Sequence, residues 1–156
     1  RDILKLVVVE RHKATGNVGV GLIENFKLRN GAIGTTIAHD SHNLIVVGDN
    51  DKDILKIIEE LSSIGGGLAM ASEGEIISSL PLEIGGIMTS KKIEETNKSL
   101  KEMMNISYNK LNVNKDIDPF MTLSFMALPV IPKLKLTDLG LFDVEDFKFV
   151  NVSVVD

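Results

Sequence analysis

The chain has 156 residues, of which 44% are hydrophobic and 25% are charged, and its formal net charge is −5. This length and composition fit one globular domain with a core of useful size. Cysteine is absent, which excludes disulfides and thiolate metal sites. The basic residues are spread along the chain, so we do not expect nucleic-acid binding. We expect no signal peptide and no membrane span, since the apolar runs are shorter than the roughly 18 residues of a span.

The first third of the chain alternates between apolar runs rich in β-branched residues and short polar connections. Such runs predict strands, here Ile3 to Val9, Val18 to Phe26, Ala32 to Ala38 and Leu44 to Val47. Short connections favour antiparallel pairing between these strands.

A helix is predicted next, in "GDNDKDILKIIEELSSIGGG", because its aliphatic residues recur every three or four positions. Asp49 or Asn50 is expected to cap its start, and Gly65 is expected to end it. Two short strands follow around the turn Glu73-Gly74. Pro81 indicates that the second of them lies at the edge of the sheet or leaves it.

The second half of the chain predicts two more helices and one strand. One helix begins near Ser90 and runs through Met104 or beyond, and an Asn-rich loop, "NISYNKLNVNKDI", follows. Asp118 and Pro119 suit the N-cap and first position of another helix, which must end before Pro129. The alternating tail "FKFVNVSVV" predicts a last strand. Together the elements predict a single α+β (or α/β) domain with a largely antiparallel sheet and about three helices.

The segment "HDSHN" concentrates chemically capable side chains between two predicted strands. His39, Asp40, His42 and Asn43 are candidate pocket residues, in which the imidazoles act as ligands or proton carriers that Asp40 orients. Alternatively, the segment is a turn in which Asp40, Ser41 and Asn43 bond nearby backbone groups. The residues alone favour neither interpretation over the other.

The segment "ERHKATGN" follows the first predicted strand and contains the third histidine. Glu10, Arg11 and His12 are candidate substrate-binding residues, because sites often lie in loops at strand ends. Alternatively, they form a solvated strand end. If the strand ends meet, His12, His39 and His42 converge. A further hypothesis makes these three histidines a small metal site of their own.

Six segments, taken together, are similar to one known family. They are "VVVERHKATGNVGVGLIENF", "GAIGTTIAHDSHNLIVVG", "IGGGLAM", "LPLEIGGIMT", "DPFMTLSFMALPVIPKLKLTDLGLFDV" and "FKFV". They resemble the C-terminal domain of bacterial adenine deaminases, which belong to the amidohydrolase superfamily. The resemblance covers nearly the whole chain, is weakest between residues 91 and 118, and implies that residues 1–156 form that domain.

The resemblance implies an enzyme of purine metabolism that converts adenine and water to hypoxanthine and ammonia in a (β/α)₈ barrel containing manganese or iron. The resemblance implies that this barrel lies N-terminal to Arg1, and the strand-like start without Met and the lack of a His-x-His pair agree with this expectation. No metal ligand is therefore assigned to this chain, which is expected to bind no metal cofactor and to be inactive alone. The implied partners are the barrel of the same polypeptide, adenine and further copies in a cytoplasmic homo-oligomer.

Three alternatives follow from this resemblance. The chain is either such an enzyme domain or a stand-alone small-ligand-binding or interaction module with the same fold. The segments "HDSHN" and "ERH" either complete the pocket of the barrel or form the interface on which the two domains dock. The apolar segment "FMALPVIP", Phe125 to Pro132, either docks on the barrel or a second subunit, or lies in the core.

Overall fold

The computed structural model describes residues 2–153. Within them, the main sheet contains six strands: β1 (Ile3–Val9), β2 (Val18–Glu24), β3 (Ala32–Thr35), β4 (Leu44–Gly48), β5 (Gly67–Ser72) and β6 (Glu75–Pro81). The helices are α1 (Asp51–Ser63), α2 (Ile93–Asn109) and α3 (Pro119–Phe125). A second, three-stranded sheet consists of β7 (Leu134–Thr137), β8 (Gly140–Asp143) and β9 (Lys148–Val150). The predicted α+β class with a largely antiparallel sheet is confirmed.

The strands of the main sheet lie in the order β2-β1-β4-β3-β5-β6, and every neighbouring pair is antiparallel. The registers place Val9 opposite both Val18 and Leu44. The β1–β2 and β3–β4 connections therefore emerge at the same end of the sheet, which we call the loop end. Gly67 and Pro81 lie opposite each other at this end too, and β6 is an edge strand, as Pro81 predicts.

Side chains alternate between the two faces of the main sheet, and each face is covered differently. On one face, α1 covers the buried residues Val7, Ala32, Leu44, Val46, Ala69 and Ala71. The opposite face is covered by α2, α3 and the second sheet, and it buries Leu4, Leu6, Val8, Ile33, Ile45, Val47, Leu68 and Met70. The core therefore consists of two layers of side chains with the sheet between them.

The helix α1 buries Ile54, Ile57 and Leu61 of the apolar face that its sequence predicts, but Leu55, which is expected on the same face, is 59% exposed. Of the two predicted caps, Asn50 takes the role, because its side-chain oxygen accepts the Asp53 N–H at 2.9 Å. Asp49 instead accepts the backbone N–H of Asn30 at 2.6 Å and so stabilises the turn between β2 and β3. Gly65 has a φ of +77°, the left-handed conformation expected of a residue that ends a helix.

The helix α2 begins at Ile93, later than predicted, and continues beyond Met104 to Asn109, so that the first residues of the predicted Asn-rich loop are helical. Tertiary contacts explain the difference. Ser107 is buried, and Tyr108 donates its hydroxyl to the backbone oxygen of Ile117 at 2.8 Å. Across residues 2–153, every helix is too short or too polar to pass through a bilayer.

The prediction from sequence omits the hairpin of β7 and β8, which depends on a distant contact. Leu136 of β7 is buried because it packs beneath Gly19 and Gly21 of β2, where a Cβ on Gly19 would overlap the backbone oxygen of Thr137. The predicted last strand is present as β9, but only over Lys148–Val150. Residues 154 and 155 of that prediction lie outside the described residues.

Candidate functional site

Two loops lie side by side at the loop end of the sheet: the histidine loop, residues 36–43, and the ERH loop, residues 10–17. Arg11 Nε donates to the backbone oxygen of His42 at 2.6 Å. The His12 Nε2 lies 2.7 Å from another backbone oxygen of the histidine loop. These bonds form because β1 and β4 are neighbours in the sheet. The strand ends meet, and the three histidines converge.

The His39 side chain contacts both the histidine loop and α3. Its ring centroid lies 5.7 Å from that of His42, edge to face, and 4.7 Å from that of Phe125. Its backbone N–H donates to the backbone oxygen of Ser124 at 2.9 Å, which joins the loop to the helix. The half-buried imidazole is therefore positioned by packing as well as by its backbone.

His42 is a neutral imidazole with a defined tautomer. Its Nδ1 accepts the backbone N–H of Ala38 at 3.3 Å, which places the ring proton on Nε2. Burial lowers the pKa of His42 below its ordinary 6.5, and the neighbouring His39 and Arg11 lower it further. His42 therefore stays uncharged at neutral pH, with an Nε2–H group available as a hydrogen-bond donor.

Arg11 joins three segments of the loop end. Besides the bond to His42, its Nη2 donates to the backbone oxygen of Gly85 at 2.7 Å. The guanidinium lies directly on Gly86, where an added Cβ would come within 2.8 Å of Nη2. Burial lowers the pKa of Arg11. Two of its donor groups thus bind backbone, so the predicted substrate-binding residue is also a brace between the histidine loop and the segment after β6.

Glu10 binds its own loop. Its carboxylate accepts the backbone N–H groups of His12, Lys13 and Thr15 at 2.5, 2.8 and 3.1 Å. These hydrogen bonds, that of Thr15 foremost, lower the pKa of Glu10 from 4.5 to about 2. Both carboxylate oxygens are thereby occupied within the ERH loop, whereas a substrate-binding role requires them to face a ligand.

Asp40 and Asn43 have different surroundings. Asp40 is exposed, and its charge opposes the lowering of the His42 pKa. Asn43 is only 4% exposed, and its Nδ2 donates to Asp138 at 3.4 Å. Asn17 donates to the same carboxylate at 3.2 Å, so Asp138 ties both loops to the β7–β8 turn. Within residues 2–153, the Oδ1 of Asn43 has no hydrogen-bond partner.

A cavity of about 530 Å³ opens beside the histidine loop, between the main sheet, α2 and α3. Of the predicted site residues, His39 alone lines it. The walls are mostly apolar and include Leu80, Leu100 and Phe120. Asp118, which the sequence predicts only as a helix cap, is the other titratable group of the wall. Periodicity marks these residues as core but does not show that the two helices leave a gap.

A metal site made of the three histidines is not supported by the geometry. Within residues 2–153, no three His, Asp or Glu side chains are grouped so that they could hold a metal ion. The His12 ring is bonded to the backbone of the histidine loop, and the His42 Nδ1 accepts the Ala38 N–H. His12 and His42 are thus each bonded to a backbone group, and the three rings do not form one common ion site within the described residues.

The segment "FMALPVIP" is divided between core and surface. Ala127 and Leu128 are 5% and 8% exposed, so its first half belongs to the core. Val130 and Ile131 are 69% and 41% exposed. Each of the two interpretations of this segment therefore applies to one half of it, and the exposed half remains the candidate for a docking contact.

The chain is similar to known proteins over nearly its whole length. The family model described as the adenine deaminase C-terminal domain matches residues 1–148. An adenine deaminase of Nitratidesulfovibrio vulgaris (strain DP4) is 53% identical over 152 residues, covering 97% of this chain and 26% of that protein. The adenine deaminase of Clostridium acetobutylicum is 53% identical over 147 residues, covering 94% of this chain and 26% of that protein.

A third relative is adenine deaminase 2 of Carboxydothermus hydrogenoformans, which is 53% identical over 154 residues, covering 99% of this chain and 27% of that protein. The chain thus spans about a quarter of the length of the curated relatives it matches. Because the family model accounts for almost every described residue, the chain belongs to the adenine deaminase C-terminal domain family.

Proposed function

We propose that this chain is the C-terminal domain of an adenine deaminase, which hydrolyses adenine to hypoxanthine and ammonia. The family match carries the proposal, together with relatives named adenine deaminase of which the chain spans about a quarter. The remaining part of such an enzyme is the N-terminal amidohydrolase barrel, with manganese or iron as its metal. We place the enzyme in cytoplasmic purine metabolism, as a homo-oligomer.

The residues of this chain do not fit a metal centre, since residues 2–153 offer no suitable group of three ligands. We therefore assign no metal ligand and no metal-dependent step to them. The bound metal would supply an activated water in the barrel. The role of this chain is to be sought in groups that position the substrate or carry protons.

We assign such a role to His39 and His42. In the hydrolysis, water adds to the purine carbon that bears the amine, and the amine takes up a proton and leaves as ammonia. A neutral imidazole is suited to carry that proton or to donate a hydrogen bond to the purine ring. His42 presents its Nε2–H, and within residues 2–153 neither ring nitrogen of His39 is hydrogen-bonded.

Hydrogen bonds within the histidine loop and to neighbouring segments hold its backbone in place. The His42 N–H donates to the backbone oxygen of Ala38 at 2.6 Å, Arg11 binds the His42 backbone oxygen, and His39 is bonded to Ser124 of α3. Groups that are already oriented cost little reorganisation when charge develops on a substrate. The backbone bonds therefore support a pocket role, whereas a loop that only forms the interface between the two domains would leave kcat unchanged when its histidines are replaced.

His39→Ala and His42→Ala in the full-length enzyme test this role. We expect each change to lower kcat by about 10²-fold, which is the lower range for the loss of a general acid or base. The bound metal should stay at the wild-type level. Lys13→Ala, at an exposed position of the ERH loop, is the control and should leave kcat unchanged. Unchanged kcat in both histidine variants would exclude the role, and loss of metal would indicate a structural effect instead.

The location of the chemistry is tested by hypoxanthine formation from adenine, with added manganese or iron. We expect activity in the full-length protein and none in the isolated chain, because the described residues hold no metal site. Activity in the isolated chain would overturn the proposal and would make His12, His39 and His42 the catalytic site themselves.

The cavity favours a second candidate function, a stand-alone small-ligand-binding module with the same fold. The two candidates differ in a simple measurement. A full-length protein that binds a small ligand saturably but releases no ammonia from adenine would support the module. Release of ammonia supports the enzyme.

A further inference from the structure

The cavity between the main sheet, α2 and α3 shares Ile37 and His39 with the histidine loop, and its walls restrict the ligand that it suits. Its volume of about 530 Å³ lies within the range of small-molecule sites. Leu68 and Leu80 contribute to it from strands, and Leu100 and Phe120 from helices. The lining outside strands and helices comes from the histidine loop, from the segment after β6 that includes Met88, and from the N-cap Asp118.

The lining favours an aromatic ligand. Three of the six methionines, Met88, Met104 and Met121, line the cavity together with Phe120. Thioether sulfur is polarisable and makes favourable contacts with aromatic rings, and aromatic rings prefer to contact one another at their edges or offset faces. A flat ring therefore gains more from this wall than a saturated chain does.

Charge restricts the ligand further. Among the described lining residues there is no lysine or arginine, whereas Asp118 carries a carboxylate. The Asp118 Oδ1 accepts the Met121 N–H at 2.9 Å, which leaves Oδ2 for a ligand. Asp118 is exposed, so solvent and salt moderate its repulsion of an anionic ligand, but no lining cation offsets it, and a hydrogen-bond donor would be favoured there.

The polar capacity of the wall is small. The hydroxyls of Ser124 and Thr96 already donate to backbone oxygens three and four residues earlier. The free capacity lies on Asp118, on the hydroxyl protons of Thr35 and Thr89 and on the His39 imidazole. These few polar groups lie in an otherwise mostly apolar wall, so a ligand with few polar atoms suits the cavity best.

We propose that this cavity binds an uncharged aromatic molecule that carries a single hydrogen-bond donor. The ring of the ligand lies against the methionines and Phe120, and its donor group faces the free oxygen of Asp118. The binding needs no metal and no catalytic turnover.

A matched pair of fluorescent probes tests the class of ligand in the full-length protein. N-Phenylnaphthylamine is uncharged and aromatic and has one N–H donor, and anilinonaphthalene sulfonate has the same rings and donor plus a sulfonate. We expect saturable binding of the uncharged probe at one site per chain, and about tenfold weaker binding of the sulfonate. If the uncharged probe did not bind saturably, for example because another part of the protein fills the cavity, the proposal would be overturned.

Two tryptophan variants test the location. Thr96→Trp places a large ring in the cavity from α2, whereas Asn97→Trp changes the next residue of the same helix, which is exposed and does not line the cavity. We expect Thr96→Trp to lower the affinity of the uncharged probe by about tenfold or more, and Asn97→Trp to leave this affinity unchanged. Equal affinities in the two variants would overturn the proposal, because the probe then binds elsewhere.

Asp118→Asn tests the charge without relying on the shape of the cavity. Asparagine keeps an oxygen for the N-cap of α3, so the helix is retained. The variant should bind the sulfonate about as tightly as the uncharged probe. A preference that remains as large as in the wild type would overturn the role of Asp118. None of these measurements requires deaminase activity, so the proposed function and the cavity site can fail separately.

Discussion

The two faces of the main sheet share the same strands but are covered in different ways. On one face, a single capped helix, α1, lies on small residues that include Ala32, Gly34 and Ala71. Small residues allow the helix to approach closely, and a Cβ added to Gly34 would overlap the Ile57 side chain. Close packing at native density leaves no space for a ligand at this contact, and a cavity of about 360 Å³ opens instead at the end of α1, where Leu44, Leu61 and Gly66 help to line it.

The opposite face carries large side chains such as Leu6, Ile33 and Met70, and three separate pieces cover it: α2, α3 and the second sheet. Helices that rest on large and uneven side chains do not meet along their whole length, and a cavity remains between α2 and α3. The histidine loop lies at the edge of this face. The comparison indicates that the α1 face is closely packed at its small residues, while the opposite face leaves the larger of the two cavities.

The largest effect that would test this comparison is expected from Ile57→Ala. Ile57 is fully buried between α1 and the sheet, so the variant should lose about 2–5 kcal/mol of unfolding free energy. Leu100→Ala, on the half-buried wall of the cavity, should cost about 1 kcal/mol, because its side chain already borders empty space. Urea denaturation measures both changes. Equal losses would contradict the difference between the faces.

Gly34→Ala tests how closely α1 approaches the sheet. The new methyl group meets Ile57, so we expect a loss of about 1–3 kcal/mol from overpacking. Combining it with Ile57→Ala removes the opposing side chain, and the double variant should lose less than the sum of the two single changes. A double-mutant cycle by urea denaturation measures this coupling. Strictly additive losses would show that the two residues do not touch.

Changes at the helix caps should have smaller effects on the unfolding free energy: removing the cap of α1 should lower it, and adding a cap to α2, on the opposite face, should raise it. Asn50→Ala removes the side-chain cap of α1 and should cost about 1 kcal/mol. The N-cap position of α2, Lys92, makes no such bond. Lys92→Ser, with Glu95 three residues later, creates a capping box and should raise the unfolding free energy by about 0.5–1 kcal/mol. Thermal and urea unfolding measure both, and no gain from Lys92→Ser would argue that α2 is fixed by tertiary contacts alone.

The smallest effect is expected at the loop end, where Glu10 closes the ERH loop. Its pKa is about 2 in the folded chain against an ordinary 4.5, so the ionised carboxylate stabilises the fold above pH 4.5, and this contribution is lost as the pH falls towards 2. Glu10→Gln should therefore be less stable than the wild type above pH 4.5, and the two proteins should converge near pH 2. Unfolding measured across this range gives the test, and curves that stay parallel would contradict it.

Elements with a strong local signal could be predicted from the sequence. The period of the apolar residues indicates the strands β1 to β6 and the helix α1. Asp118 and Pro119 mark the start of α3, where Asp118 accepts the Met121 N–H at 2.9 Å. The hairpin β7–β8 and the end of α2 have no such signal, because they form through contacts with Gly19 and Gly21 and with the segment around Ile117.

The candidate site, like the fold, was predictable from the sequence only in part. The composition of "HDSHN" and "ERH" identifies chemically capable loops, and the antiparallel order of short-connected strands brings them to one end of the sheet. Composition does not show that Glu10 is occupied by its own loop, that Asn43 reaches Asp138, or that His39 alone of the predicted site residues lines the cavity between the main sheet, α2 and α3.

The sequence by itself therefore determined the family, the strands and caps with local patterns, and the polar loops that are the candidates for chemistry. Only the tertiary structure decided which side chain of each loop is free and which serves as a brace. The physical reason is separation along the chain. Arg11 binds Gly85 across 74 residues, and Asn43 binds Asp138 across 95 residues, so these contacts exist only once the sheet has brought distant segments together.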